Sequence, residues 1–115
     1  GVILRPCHFE PTFQKHAGRM CGGGQIHVTD ARAFRSVHTA LAILSAVKAL
    51  APDEFAWRPP PYEYETEKPP IDILWGSDTL RSGIDQMESP TNILAGTEEE
   101  VGAFGRAVAP YLLYE

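Results

Sequence analysis

Residues 21–30 read CGGGQIHVTD, and this stretch decides the fold of the N-terminal part of the chain. Apolar and polar residues alternate over residues 25–29, which is the period of a half-buried strand with one polar face. The polar positions are Gln25, His27 and Thr29. The three glycines before them favour a turn. Asp30 predicts a helix start, because its short carboxylate can accept hydrogen bonds from the first backbone N–H groups of a helix.

The segments on either side of this stretch complete the expected fold. Residues 2–10 predict another strand, with Pro6 at an edge or a bulge because it lacks a backbone N–H. After Asp30, apolar side chains recur at spacings of three and four from Phe34 to Val47. This spacing predicts one long amphipathic helix, which Pro52 ends.

The second half of the chain predicts only short elements. Tyr and Glu alternate over residues 62–65 between two proline clusters, which favours a short edge strand. Ser89 before Pro90 is a typical helix start, and TEEE at residues 97–100 is a capping-box pattern. The sequence therefore predicts one α+β domain over residues 1–115. We expect a small, mostly antiparallel sheet packed against one long helix, followed by several short helices.

Composition argues against several classes of function. The chain has 115 residues and a formal net charge of -5, and its ten Lys and Arg residues include no run of three, so nucleic acid is a poor partner. No apolar stretch approaches the roughly 18 residues of a membrane span. Cys7 and Cys21 form no C-x-x-C pair, so we predict no metal site, and we predict no cofactor. A disulfide between them and two free thiols both stay open, with free thiols favoured.

Several motifs occur in an order that resembles one protein family. They are FEPTF at 9–13, KHAG at 15–18, CGG at 21–23, QIHVTD at 25–30, FR at 34–35, F-x-W at 55–57, IDIL at 71–74, GS at 76–77, Arg81 and PYLLY at 110–114. Over nearly its whole length the chain is similar to the exo-β-N-acetylmuramidases of NamZ type.

The resemblance implies a longer, two-domain protein. A Rossmann-like N-terminal domain would hold the catalytic carboxylate and be the partner of this chain, which would be the C-terminal domain alone. The implied reaction removes N-acetylmuramic acid from the non-reducing end of peptidoglycan fragments, in the bacterial periplasm or outside the cell. The isolated chain is then expected to be inactive, and we assign it no catalytic residue.

Six polar residues form the candidate substrate-binding set: Lys15, His16, Arg19, Gln25, His27 and Thr29. The last three share one face of the predicted strand and can hydrogen-bond to sugar hydroxyls. The first three lie in a predicted loop and can pair with the lactyl carboxylate of muramic acid. A merely solvated strand face and loop are the simpler alternative.

Two other functions stay open. The chain could be an autonomous muropeptide- or carbohydrate-binding module. It could also be a self-association domain whose aromatic end, residues 111–114, packs across a dimer.

Overall fold

The computed structural model describes residues 1–114, which divide into two compact units, residues 1–36 and the residues from 37 on. We call them the hairpin unit and the helical unit. The hairpin unit contains two antiparallel strands, β1 (Val2–Phe9) and β2 (Cys21–Val28), joined by a loop of residues 10–20. The predicted pair of antiparallel strands is confirmed.

The turn predicted at the glycines of residues 22–24 is wrong. They do not form a turn but lie inside β2, where Gly24 pairs with Pro6 of β1. Glycine adopts an extended backbone as readily as a turn, and the partner strand decides between them by supplying regular hydrogen bonds.

The two faces of the hairpin differ in polarity. Directly paired residues of an antiparallel sheet point to the same side, and successive residues alternate between sides. On one face the pairs Val2–Val28 and Leu4–Ile26, towards the end of the hairpin away from the loop, are apolar. On the other, which we call the Arg5 face, the pairs are Ile3–His27, Arg5–Gln25, Cys7–Gly23 and Phe9–Cys21.

The helix start predicted at Asp30 is also wrong. The Asp30 carboxylate accepts hydrogen bonds from the backbone N–H groups of Arg32 and Ala33, at 2.9 and 3.2 Å. These bonds close a turn rather than cap a helix, and α1 begins only at Ser36 and runs to Leu50. Aspartate stabilises such local turns as well as helix starts, and here the turn prevails.

The helical unit has a small apolar core. Besides α1 it contains α2 (Pro70–Trp75), α3 (Thr79–Asp85), α4 (Pro90–Ile93), α5 (Thr97–Val108) and a 3-10 turn (Ala109–Tyr111). Leu41, Leu80 and Ile84 are 1%, 5% and 1% exposed and form its centre. The partly buried residues around them are Leu44, Trp57, Ile71, Trp75, Ile93 and Leu94.

Two predicted helix starts have different outcomes. Ser89 caps α4 as predicted, since its hydroxyl accepts a hydrogen bond from the backbone N–H of Asn92 at 3.2 Å. The capping box predicted for α5 is wrong, although the helix is present. Its N-cap is Gly96, and the hydroxyl of Thr97 donates back to the carbonyl of Leu94 at 2.8 Å.

The α+β class is confirmed by the antiparallel strands and the helices. The edge strand predicted at residues 62–65 is wrong, because Tyr62 and Glu65 form a single bridge that closes a tight turn. The packing of the sheet on the long helix and the single-domain organisation stay predictions. No helix within residues 1–114 has the length and hydropathy needed to cross a bilayer.

Candidate functional site

Charge is distributed unevenly between the two units. Residues 1–36 contain five of the ten Lys and Arg residues but two of the fifteen Asp and Glu residues, a formal charge of +3. The remaining residues contain five cations and thirteen carboxylates, a formal charge of -8. A positively charged hairpin in an acidic protein is a suitable surface for an anionic ligand.

The centre of the Arg5 face is rich in hydrogen-bond donors. Arg5 and Gln25 are directly paired across the strands, and Arg5 Nη2 donates to Gln25 Oε1 at 2.8 Å. This bond engages the amide oxygen of Gln25, and because both residues are exposed, the amide N–H groups and the remaining guanidinium N–H groups are available to a ligand. His27 follows Gln25 on the same face.

The structure brings two of the three predicted strand residues together. Gln25 and His27 are neighbours on the Arg5 face, and both are exposed. Thr29 lies just past the end of β2, where its backbone N–H donates to the carbonyl of Gly1 at 3.0 Å. It is two residues beyond His27, about 7 Å along the strand direction.

The three predicted loop residues lie at the other end of the hairpin. Lys15, His16 and Arg19 are exposed on the loop of residues 10–20, which the backbone bond from Gly18 N–H to Pro11 O closes at 2.9 Å. His16 has a left-handed backbone with φ of 60°. This conformation is costly for a residue with a side chain and is often found at binding sites.

The hairpin unit does not have the carboxylate geometry of a glycosidase. Its two carboxylates, Glu10 and Asp30, follow the far ends of β1 and β2. In a hairpin whose strands have eight residues each, those ends are about 26 Å apart. Glycosidases hold their two carboxyl groups roughly 5–9.5 Å apart. The arrangement fits a role in binding better than one in bond cleavage.

The ionic contacts of the helical unit are structural. Asp85 accepts hydrogen bonds from the Lys48 ammonium and, at 2.9 Å, from Trp57 Nε1. Burial by itself raises the pKa of the Asp85 carboxyl, but these two bonds together with the positive charges of Lys48 and Arg81 outweigh it, so the pKa lies below its usual value. Arg81 binds both carboxylate oxygens of Asp72, at 2.8 to 3.1 Å.

Some aromatic residues pack on the core of the helical unit, and others are exposed on the hairpin unit. Trp57 packs on the core and meets Phe55 edge-on, with ring centroids 4.9 Å apart. Phe13 is 71% exposed on the loop. Phe9 lies on the Arg5 face with its ring over Gly23, where it leaves no room for a β-carbon. Phe13 is the aromatic residue closest along the chain to a candidate binding residue, Lys15.

The two cysteines form no disulfide with each other. Cys7 and Cys21 are free thiols, both half-buried, as the sequence favoured. Within residues 1–114, no three His, Cys, Asp or Glu side chains come close enough together to hold a metal ion.

Arg5 was missed as a candidate from the sequence. Its partner Gln25 was named, and the missing information was the strand register that places the two side chains side by side. The uneven charge could have been found by counting cations in residues 1–36 instead of looking for runs of them.

Comparison with known proteins gives a consistent match. The family described as exo-beta-N-acetylmuramidase NamZ, C-terminal, matches residues 1–114. Peptidoglycan beta-N-acetylmuramidase NamZ of Bacillus subtilis (strain 168) is 32% identical over 114 residues, which are 99% of this chain and 26% of that protein. The chain thus spans about a quarter of the length of this relative. No solved structure matches it. The resemblance inferred from the motifs is confirmed, and the chain belongs to the NamZ family, whose C-terminal region it represents.

Proposed function

We propose that this chain is the substrate-shaping part of a peptidoglycan-degrading exo-β-N-acetylmuramidase, in which the hairpin unit binds the muramyl group. The family supports a glycosidase that acts on bacterial cell wall. The observation that carries the binding role is the +3 charge of residues 1–36 in a protein of net charge -5. Muramic acid is anionic, so a positive surface attracts it.

The roles of the parts follow from their chemistry. Gln25, His27 and Thr29 hydrogen-bond to sugar hydroxyl and amide groups, and the loop cations Lys15 and Arg19 attract carboxylates of the peptidoglycan fragment. The catalytic carboxylate belongs to a Rossmann-like N-terminal domain, on which this chain docks. The whole enzyme works in the periplasm or outside the cell, where its substrate is found.

Steady-state hydrolysis of a chromogenic N-acetylmuramic acid glycoside tests this role in the native protein that contains the chain. We expect the double variants Lys15→Ala/Arg19→Ala and Gln25→Ala/His27→Ala to raise KM roughly tenfold with little change in kcat, because they remove binding and not chemistry. Lys68→Ala, an exposed cation of the helical unit, is the matched control. A loss of kcat at unchanged KM, or no effect of either double variant, would contradict the binding role.

Self-association is a second candidate, favoured by one observation. The side chains of residues 111–114 are exposed, as are Val101 and Phe104 on α5. Aromatic and leucine side chains grouped in this way are typical of surfaces that bind another protein. Light scattering over a range of protein concentrations separates a monomer from a dimer.

A further inference from the structure

Arg5 is the one cation of the hairpin unit that lies inside the sheet. It is in the middle of β1, whereas Lys15 and Arg19 are on the loop and Arg32 and Arg35 follow β2. A strand holds its side chains in a more defined direction than a loop does. Arg5 is therefore the most precisely placed positive charge of this unit.

Gln25 orients the guanidinium group of Arg5. The 2.8 Å bond from Nη2 to Oε1 fixes one corner of the planar group and leaves its other N–H groups available. The guanidinium group has no acceptor, and one lone pair of the Gln25 amide oxygen is engaged by Arg5. A charged, planar donor group beside the N–H donors of an amide matches a carboxylate.

The residues around this pair suit a carboxylate on a small branched carbon. Ile3, two residues before Arg5 on the same face, is 60% exposed and provides an apolar contact. His27, which is paired with Ile3, adds another polar group. The lactyl group of muramic acid combines these features, since its carboxylate and its methyl group are bonded to the same carbon.

We propose that Arg5, positioned by Gln25, binds the lactyl carboxylate and makes the enzyme select N-acetylmuramic acid over uncharged N-acetylglucosamine. This proposal rests on the proposed function, because it names the residue that recognises the substrate. Lys15 and Arg19 then attract the same anionic sugar from the loop without contacting its lactyl carboxylate.

Calorimetric titration of the native protein tests this selection with three probes: N-acetylmuramic acid, its methyl ester and N-acetylglucosamine. We expect the acid to bind the native protein roughly tenfold to a hundredfold more tightly than the ester. Arg5→Met should remove this difference, and Arg5→Lys should keep only part of it, because lysine retains the charge but not the planar fork. Arg32→Met is the matched control and should bind all three probes as the native protein does.

The outcomes separate this proposal from the one on which it rests. If the Arg5 variants still prefer the acid while Lys15→Ala does not, the carboxylate site is on the loop and the role of Arg5 is refuted. Equal affinity of the native protein for acid and ester also refutes it, without relying on a variant that could fold poorly. If a peptide ending in D-alanyl-D-alanine competes at Arg5 and the sugar acid does not, the site binds the stem carboxylate instead. If no muramyl probe binds at all, both proposals fail.

Discussion

The hairpin unit and the helical unit differ both in charge and in how much they bury. Within residues 1–36, all of which the structure describes, no side chain is fully buried, and the net charge is positive. The helical unit buries Leu41, Leu80 and Ile84 and ties its carboxylates Asp72 and Asp85 to cations. Apolar burial stabilises the helical unit, whereas the polar side chains of the hairpin unit are exposed and available to a ligand.

The largest expected effect compares a leucine from each unit. Leu41 is 1% exposed and Leu4 is 52% exposed. Leu41→Ala should lower the free energy of unfolding by about 2–5 kcal/mol, because it leaves a cavity in the core. Leu4→Ala should lower it by less than about 1 kcal/mol. Urea unfolding followed by amide hydrogen exchange in peptides of each unit measures both, whereas the fluorescence of Trp57 and Trp75 reports on the helical unit alone. Equal losses would show that the hairpin depends on burial as much as the core does.

A smaller effect compares a glycine from each unit. A β-carbon on Gly83 would lie 2.7 Å from Cγ1 of the core residue Ile93, and one on Gly23 would lie 2.8 Å from the ring edge of Phe9. Gly83→Ala should destabilise by about 1–2 kcal/mol, since overpacking exceeds the gain in helix propensity.

Gly23→Ala should change the stability by less than about 1 kcal/mol, because the exposed Phe9 ring can swing aside. The same urea titration measures both glycine variants. A larger loss at Gly23 than at Gly83 would mean that Phe9 is fixed and that the Arg5 face is more rigid than its exposure suggests.

Local chemistry was sufficient to predict some elements and not others. Ser89 before Pro90 has no competing role nearby, and the helix starts there as predicted. Asp30 has two available roles, capping a helix and closing a turn, and the choice depends on the residues that follow it. The glycines at 22–24 are compatible with both turn and strand, and only their pairing with β1 decides.

In the candidate site, too, some positions follow from the local sequence pattern and others depend on strand pairing. Alternation placed Gln25 and His27 on one face, because the period of a strand is a local property. Arg5 lies twenty residues away from Gln25, so its place beside that residue depends on where the loop of residues 10–20 lets β1 pair with β2. Register between strands depends on turn geometry and on contacts of both faces, which the pattern of one strand does not contain.

Hydrogen exchange of the native protein with and without N-acetylmuramic acid tests the division between the two units most directly. A bound ligand slows exchange by reducing local opening, and mass spectrometry assigns the change to peptides. We predict protection concentrated in peptides that cover residues 1–30 of this chain, with little change in those from residue 37 to residue 114. Protection confined to the helical peptides, with none in the hairpin, would contradict the account.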